Sequence, residues 1–188
     1  LAAHIARDIL REATPGEPRF EAVRLLQVLL GDLMPKAFYK TVWEGYAPGG
    51  DNRLPPTITA QVLSTIRSCF PSGDPFLDRE LTRTLALAPD GDRETLARIL
   101  GRITEDSHPT QDVHFLICLA RMEATQHPAF IPRIAHALLD LDRKCDDLGL
   151  HRERDWYGRL SDLYDGFGQP SPAFHQAILE APTFGRPD

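Results

Sequence analysis

The stretch Pro18-Arg-Phe-Glu-Ala-Val-Arg-Leu-Leu-Gln-Val-Leu-Leu-Gly-Asp-Leu33 is the clearest structural signal in this sequence. Its apolar residues recur every three or four positions, which is the spacing of one face of an α-helix; they are Phe20, Val23, Leu26 and Leu30. Gly31 follows the last of them, at the position where glycine commonly caps the C-terminal end of a helix. The pattern predicts an amphipathic helix over residues 19–30.

The same pattern recurs along the chain, each time between a capping residue or proline and a later turn. It predicts further helices over residues 1–13, 58–69, 93–103, 111–122, 128–148, 156–167 and 172–179, and one that starts at Pro75. The expected N-caps include Thr57, Asp74, Asp92 and Thr110, and Pro132 is expected to delay the helix after His127 by a turn. Strand-like alternation of apolar and polar residues is nearly absent, so the sequence predicts an all-α protein.

The helix starts are evenly spaced in the middle of the chain. Asp74, Asp92, Thr110 and His127 follow one another at intervals of about 18 residues. Two such helices match the roughly 33–47 residues of a two-helix repeat unit. This spacing favours an α-solenoid of about four to five helical hairpins that fills residues 1–188 as one domain, cut from a longer chain. An irregular multi-helix bundle is the alternative, because ordinary helices with short loops give similar lengths.

Two segments resemble HEAT or HEAT-like repeats. In the first segment, residues 18–33, the matching residues are Glu21, Val23, Arg24, Leu26, Leu30 and Gly31. In the second segment, residues 74–87, they are Arg79, Leu81, Leu85 and Ala86. The resemblance implies a HEAT-like solenoid in which such arginines pair with acidic residues of adjacent helices.

A narrower resemblance rests on the segments Phe70–Leu81, Asp112–Arg121 and Pro182–Pro187. These look like the helical region of large exported bacterial proteins that also carry cytochrome-c-type or sugar-dehydrogenase-like propeller domains. The resemblance implies a connector or docking scaffold in an extracytoplasmic, periplasmic protein. Haem chemistry would belong to neighbouring domains, because this sequence lacks a Cys-x-x-Cys-His motif.

Residues 32–56 interrupt the helical rhythm and form an insert rich in aromatic residues, proline and glycine. A connection this long is typically functional or disordered, and its aromatic residues argue against disorder. It is expected either to pack as a short helix and lid on the edge of the array or to contact a partner. The partner-binding candidates are its aromatic residues Phe38, Tyr39, Trp43 and Tyr46, because aromatic side chains dominate interface hot spots.

A second candidate surface is the run His151-Arg-Glu-Arg-Asp-Trp-Tyr157, in which Arg154, Trp156 and Tyr157 are the proposed contacts. The alternative interpretation of this run is an ion-pair network between helices with a half-buried tryptophan anchor. The expected partner of either surface is a neighbouring domain of the same chain or a separate protein.

Composition narrows the range of functions. The formal net charge is −6, and only three lysines are present, Lys36, Lys40 and Lys144. Nucleic-acid binding draws mainly on Lys and Arg, so the acidic balance disfavours a HEAT-like nucleic-acid or DNA-glycosylase function, which stays an alternative.

No apolar run is long enough to cross a bilayer, so no membrane insertion is expected. The three cysteines, which are Cys69, Cys118 and Cys145, are expected to be free thiols in helices.

Nothing in the sequence matches a common catalytic motif, so a non-enzymatic segment without cofactor or metal is favoured. The alternative is a metal-dependent enzyme that uses His108, His114 and Asp112. Against it, residues two apart on a helix point to different sides, so Asp112 and His114 cannot form a simple chelating pair. His108 and His127 both precede prolines and are expected to be turn residues, and His114 is expected to be structural.

Overall fold

The computed structural model describes residues 1–12, 16–32, 38–88, 90–123, 127–168 and 171–181. This part of the chain contains nine α-helices and no β-strand, so the predicted all-α class is confirmed. The helices are α1 (Ala2–Glu12), α2 (Glu17–Leu29), α3 (Pro56–Cys69), α4 (Pro75–Leu87), α5 (Arg93–Leu100), α6 (Pro109–Arg121), α7 (Ile131–Asp147), α8 (Trp156–Gly168) and α9 (Pro172–Glu180). Ala13, the predicted end of the first helix, lies outside the described residues.

Two of the predicted N-caps are confirmed. The carboxylate of Asp74 accepts hydrogen bonds from the backbone N–H groups of Phe76 and Leu77, and that of Asp92 accepts one from Thr95 at 2.8 Å. Each cap satisfies backbone donors that the first turn of a helix leaves unpaired.

Two other predicted N-caps are wrong, and in both places proline shifts the helix start. Helix α3 begins at Pro56 rather than after Thr57, because proline has a helical φ and no N–H that needs a partner at the first position. Helix α6 begins at Pro109, and its cap is His108, whose ring Nδ1 accepts the Thr110 N–H at 3.2 Å.

Helix α7 begins at Ile131, with Pro132 in its first turn, so the predicted delay after His127 is confirmed. His127 lies in the preceding turn, where its Nδ1 accepts the Ala129 N–H at 3.3 Å. Helix α5 ends at Leu100 rather than at the predicted residue 103, because Gly101 follows as its C-cap. Among the described residues, no helix is both long and apolar enough to cross a bilayer.

The chain divides into two compact units, unit 1 (Leu1–Asp90) and unit 2 (Gly91–Asp188). In unit 1, α1 packs against α2 and α3, and α4 packs against the same two helices. Thus the helix pair α1–α2 lies on the helix pair α3–α4, with α1 on α3 and α2 on α4. Their buried faces form the core of the unit, which includes Leu10, Val23, Leu26, Ile66, Leu81 and Leu85.

Unit 2 repeats this arrangement. Helix α6 packs against α7 and α8, and α9 packs against the same two helices, so the pair α6–α7 lies on the pair α8–α9. Helix α5 is an additional helix that packs against α6. The core includes Ile99, Phe115, Leu119, Ile134, Leu141, Leu163 and Phe174. The prediction of one continuous repeat domain over residues 1–188 stays a prediction.

A buried ion pair fixes the loop before α6 to α7. The Lys144 side chain is 5% exposed, and its ammonium nitrogen lies 2.5 Å from Asp112 Oδ2 in α6. It also donates to the Thr104 carbonyl and, at 3.0 Å, to Ser107 Oγ. These three acceptors use all three donors of the ammonium group. Lys144 is therefore a structural cation that joins α7 to α6 and to the 104–107 loop.

We predict that Lys144→Met destabilises unit 2 by about 3–5 kcal/mol, because it leaves the Asp112 carboxylate buried without its counter-charge. Urea unfolding measures this when Trp156 fluorescence is followed in a Trp43→Phe background, since the chain has two tryptophans. The control is Arg143→Met at the neighbouring position, where an exposed guanidinium group pairs with Asp140 and Asp147 and each pair is worth about 1 kcal/mol or less. Equal losses in the two variants would contradict this account of Lys144.

Candidate functional site: the aromatic insert of unit 1

The described part of the insert is a closely packed chain of turns. The Thr41 N–H donates to the Phe38 carbonyl at 3.1 Å, and the Tyr46 N–H donates to the Trp43 carbonyl at 2.9 Å. Val42 and Ala47 are buried, which gives the segment its own apolar contact with the unit. The insert therefore has a defined backbone between α2 and α3. Residues 33–37 of the predicted insert lie outside the described residues.

Gly31 joins the insert to the C-terminal end of α2. Its φ is +98°, and the N–H groups of Gly31 and Asp32 bond to the carbonyls of Val28 and Gln27 in a Schellman motif. The predicted glycine cap is thus confirmed. The Gly31 carbonyl accepts the N–H groups of Gly49 and Gly50 at 2.8 and 3.1 Å, so the insert supplies partners for the helix end.

Arg83 of α4 fixes the other side of the insert. Its guanidinium group donates to the Gly45 carbonyl at 2.7 Å, to Asp32 Oδ2 at 3.0 Å and to Gln27 Oε1 at 2.5 Å. It also bonds to Glu80 Oε2 at 3.1 Å within its own helix. One side chain therefore connects α4 and α2 to two residues of the insert, Asp32 and Gly45.

Electrostatics strengthen this connection. Burial alone would raise the pKa of Glu80, but the hydrogen bond from Gln27 and the charge of Arg83 hold that pKa below its ordinary value. Likewise, burial alone would lower the pKa of Arg83, whereas the charges of Glu80 and Asp32 raise it. Both groups are thus ionised at neutral pH, which is the state that makes charge-assisted hydrogen bonds.

The four predicted aromatic residues lie on this one fixed segment with different exposures. Tyr39 is 64% exposed, whereas Phe38, Trp43 and Tyr46 are half-buried. Tyr46 lines a recess of about 450 Å³ together with Val28 of α2 and the polar groups around Arg83. The arrangement presents a partly exposed aromatic surface on a rigid support, which is a physical requirement for a protein contact.

The second predicted surface separates into two parts. Trp156 is half-buried, and its Nε1 donates to Asp142 Oδ1 at 2.8 Å. Arg152 donates to both Asp142 and Asp146 of α7, at 2.9 and 2.7 Å, and its hydrogen bond lowers the pKa of Asp146. This part has the geometry of an ion-pair network with a tryptophan anchor, which connects α7 to the start of α8.

Arg154 and Tyr157 lie outside that network. Both are exposed, and the exposed fraction of Tyr157 is 65%. A cleft of about 340 Å³ lies beside Trp156, between Val113 of α6 and Arg159 of α8. Burial raises the pKa of Cys145, which also lines this cleft, so its thiol stays protonated at neutral pH.

The metal-site candidates have other partners. His108 caps α6, as described above, and Asp112 is paired with Lys144. His114 is buried, with its Nε2 3.8 Å from Cys118 Sγ and its ring edge-on to Phe115. Within the described ranges, no three His, Cys, Asp or Glu side chains are grouped so that they could hold a metal ion.

The described lysines give no basic groove. Lys144 is buried in its ion pair, and Lys40 lies 5.6 Å from the centre of the neighbouring Tyr39 ring. Lys36 lies outside the described residues.

Sequence reasoning missed Gln27, Arg83 and Lys144, which are polar residues that carry buried contacts. Gln27 is fully buried, and its amide donates to Glu80 and to Thr84 Oγ1 of α4. Its position in the sequence could have indicated this contact. Gln27 follows Leu26 on the apolar side of α2, where a polar side chain needs a hydrogen-bond partner.

Of the two HEAT-type arginines, Arg24 pairs with Glu80 of the adjacent helix at 3.7 Å. Arg79 is exposed, and Arg83 makes the buried pairing instead.

No protein-family model, curated protein or solved structure matches this chain at a significant level.

We predict that Gly31→Ala destabilises unit 1 by at least about 2 kcal/mol, because the left-handed φ costs about 1–2 kcal/mol and a steric clash adds to it. A Cβ atom at Gly31 would lie 2.4 Å from the Gly50 carbonyl oxygen. The measurement is urea unfolding, followed by Trp43 fluorescence in a Trp156→Phe background.

The matched control is Gly149→Ala, followed by Trp156 fluorescence. Gly149 ends α7 in the same Schellman motif with a φ of +61°, but a Cβ atom there meets no atom within 4 Å. It therefore reports the backbone cost alone. A loss at Gly31 no larger than the loss at Gly149 would show that the insert does not press on the end of α2.

Proposed function

We propose that this chain is a non-enzymatic, HEAT-like helical scaffold whose aromatic insert binds a protein partner or a neighbouring domain of a larger protein. The observation that carries the proposal is the exposed Tyr39 ring on a segment fixed through Gly31 and Gly45. The three half-buried aromatic residues Phe38, Trp43 and Tyr46 lie on the same segment.

The packing within each unit supports the solenoid interpretation. Unit 1 lays α1 on α3 and α2 on α4, and unit 2 lays α6 on α8 and α7 on α9. Solenoids are built by the same stacking, in which each helix pair buries its apolar stripe only against the neighbouring pair. The irregular bundle is the competing interpretation, and the additional helix α5 is the element that fits it best.

The fixed backbone supports a binding role for the insert. A partner that binds a preorganised aromatic surface does not have to order the loop first, so less of the interaction energy is lost to entropy. Arg83 and Gly31 supply that preorganisation. Arg154 and Tyr157, which are exposed beside the Trp156 anchor, are the second proposed contact surface; Trp156 itself contributes as the support.

The resemblance to exported bacterial proteins suggests where such a scaffold would work. In that setting the partner is a neighbouring domain that carries the redox or sugar-dehydrogenase chemistry, and the compartment is periplasmic. The third segment that supports this resemblance, 182–187, lies outside the described residues.

The test places the photo-crosslinking residue p-benzoylphenylalanine at position 39 of the natural protein in its own host. We expect a discrete crosslinked product, identified by mass spectrometry as one partner protein or one other domain. Trp43→Ala and Tyr46→Ala should each remove most of this product. Because both side chains are half-buried, each change is also expected to cost about 1 kcal/mol of stability, and thermal unfolding of the purified variants checks that the fold persists.

The control carries the same residue at position 76, because Phe76 is an aromatic side chain of α4 with 71% exposure and is not a proposed contact. We expect no discrete product from this position. The absence of a product from position 39, or the same products from both positions, would contradict a binding role for the insert.

A further inference from the structure

The helix pair α1–α2 of unit 1 exposes a row of apolar side chains that begins with Leu1, just before α1, and continues along α1. Leu1, Ile5 and Ile9 recur at every fourth position, and the last two are 48% and 38% exposed. The same helix buries Ala3, Ala6 and Leu10, which lie on a different side of it. Helix α1 therefore has two apolar sides, of which the packing of unit 1 covers one.

The uncovered side of α1 points away from α3. Arg7 reaches α3, where it bonds to Gln61 Oε1 at 2.7 Å and to Thr65 Oγ1 at 3.1 Å. Ile5 and Ile9 are each two positions from Arg7. Side chains two positions apart point about 200° apart around the helix axis. The exposed row thus lies on the side of α1 opposite its contact with α3.

Helix α2 has the same relation to α4. Gln27 is its buried contact with α4, and Leu25, two residues earlier, is 40% exposed. Leu25 therefore lies on the side of α2 opposite α4. The exposed Pro18, two turns earlier, lies on the same side. We call the surface formed by Leu1, Ile5, Ile9, Pro18 and Leu25 the outer face. Its position on α1–α2 corresponds to the side of α3–α4 that α1–α2 covers.

The apolar content of the outer face indicates that it is a contact surface. It holds four of the seven large hydrophobic side chains that the described residues of unit 1 leave exposed. In a helical array, a helix pair that nothing covers normally has a polar surface on its uncovered side. An apolar outer surface is thus the property of a helix pair on which another helix packs.

The charges on the outer face are acidic. Asp8 and Glu12 of α1 and Glu21 of α2 flank the apolar row, and all three are exposed. The exposed Arg11 and Arg24 lie farther round their helices, about 120° from Ile5 and about 100° from Leu25. A partner helix with basic flanks would complement this rim, whereas a second copy of the same face would place acidic groups against one another.

We propose that the outer face is a docking surface for an amphipathic helix of a protein partner, with an apolar ridge and Lys or Arg on both sides of it. The ridge packs on Ile5, Ile9 and Leu25, and the basic flanks pair with Asp8, Glu12 and Glu21. This surface is separate from the aromatic insert, so the proposal does not depend on the proposed function of Tyr39.

The test uses a fluorescein-labelled synthetic helix of about 18 residues, long enough to be partly helical alone, with a leucine ridge flanked by lysines. Fluorescence anisotropy measures its binding to the 188-residue chain. We expect saturable binding that the double variant Ile5→Gln/Ile9→Gln weakens at least about tenfold, because central apolar contacts carry most of the binding energy. Asp8→Lys/Glu12→Lys should weaken it in the same direction, and added salt should weaken it further.

The matched control variant is Leu179→Gln, because Leu179 lies in α9 and is 47% exposed, close to the value for Ile5. It should leave binding unchanged. A peptide of the same composition with a scrambled order, which has the charge but no ridge, should not saturate, and a glutamate-flanked peptide should not bind. Circular dichroism of each variant confirms that the helices persist.

Three results would overturn the proposal. The first is binding that Ile5→Gln/Ile9→Gln does not change, and the second is equal binding of the scrambled or glutamate-flanked peptide. The third is self-association in sedimentation experiments that the same double variant abolishes, which would make a second copy of the chain the occupant. None of these variants changes a residue of the insert. Loss of the outer-face proposal would therefore leave the crosslinking result at position 39, and the role proposed for the insert, unaffected.

Discussion

The guanidinium group of Arg83 is the interaction on which the structure of unit 1 depends. Its four acceptors belong to Gln27 in α2, Asp32 after it, Gly45 in the insert and Glu80 in α4. The planar group donates in several directions at once, which a lysine ammonium at the same place could not reproduce. Because the side chain is 12% exposed, these bonds form in a region that water screens weakly. The helix pairs and the insert therefore share one electrostatic centre.

In unit 2, other cationic side chains connect the helices to the irregular segments. Lys144 joins α7 to α6 and to the loop before α6, and Arg152 joins the segment before α8 to α7. In both units a cation connects a helix with an irregular segment that has no apolar stripe of its own. Apolar packing holds the helices together, and buried or half-buried cations fix the connections, in or beside which the candidate binding residues lie.

The helices could be predicted because their signals are local. Asp74 and Asp92 cap the helices that follow them, and Gly31 and Gly149 end α2 and α7 in the expected left-handed conformation. The errors at Thr57 and Thr110 are local too: proline without an N–H group takes the first helical position and moves the cap upstream.

The buried cations could not be predicted in the same way. Arg83 and Asp32 are 51 residues apart in sequence, and Lys144 and Asp112 are 32 apart, so no local pattern connects them. The composition of residues 32–56 predicts an aromatic insert, but the exposure of Tyr39 relative to Trp43 depends on tertiary contacts. The distinction between the Trp156 anchor and the exposed Tyr157 depends on them as well.

Hydrogen exchange of the insert in the Arg83→Met variant tests the central claim most directly. If Arg83 holds the insert on the helix pairs, the backbone amides of Tyr46, Ala47 and Gly49 should exchange faster in this variant, while the core amides of α2 and α4 stay protected. Arg79→Met, one turn earlier on the exposed side of α4, should leave the insert unchanged. Equal protection of the insert in Arg83→Met and in the unaltered chain would contradict the claim.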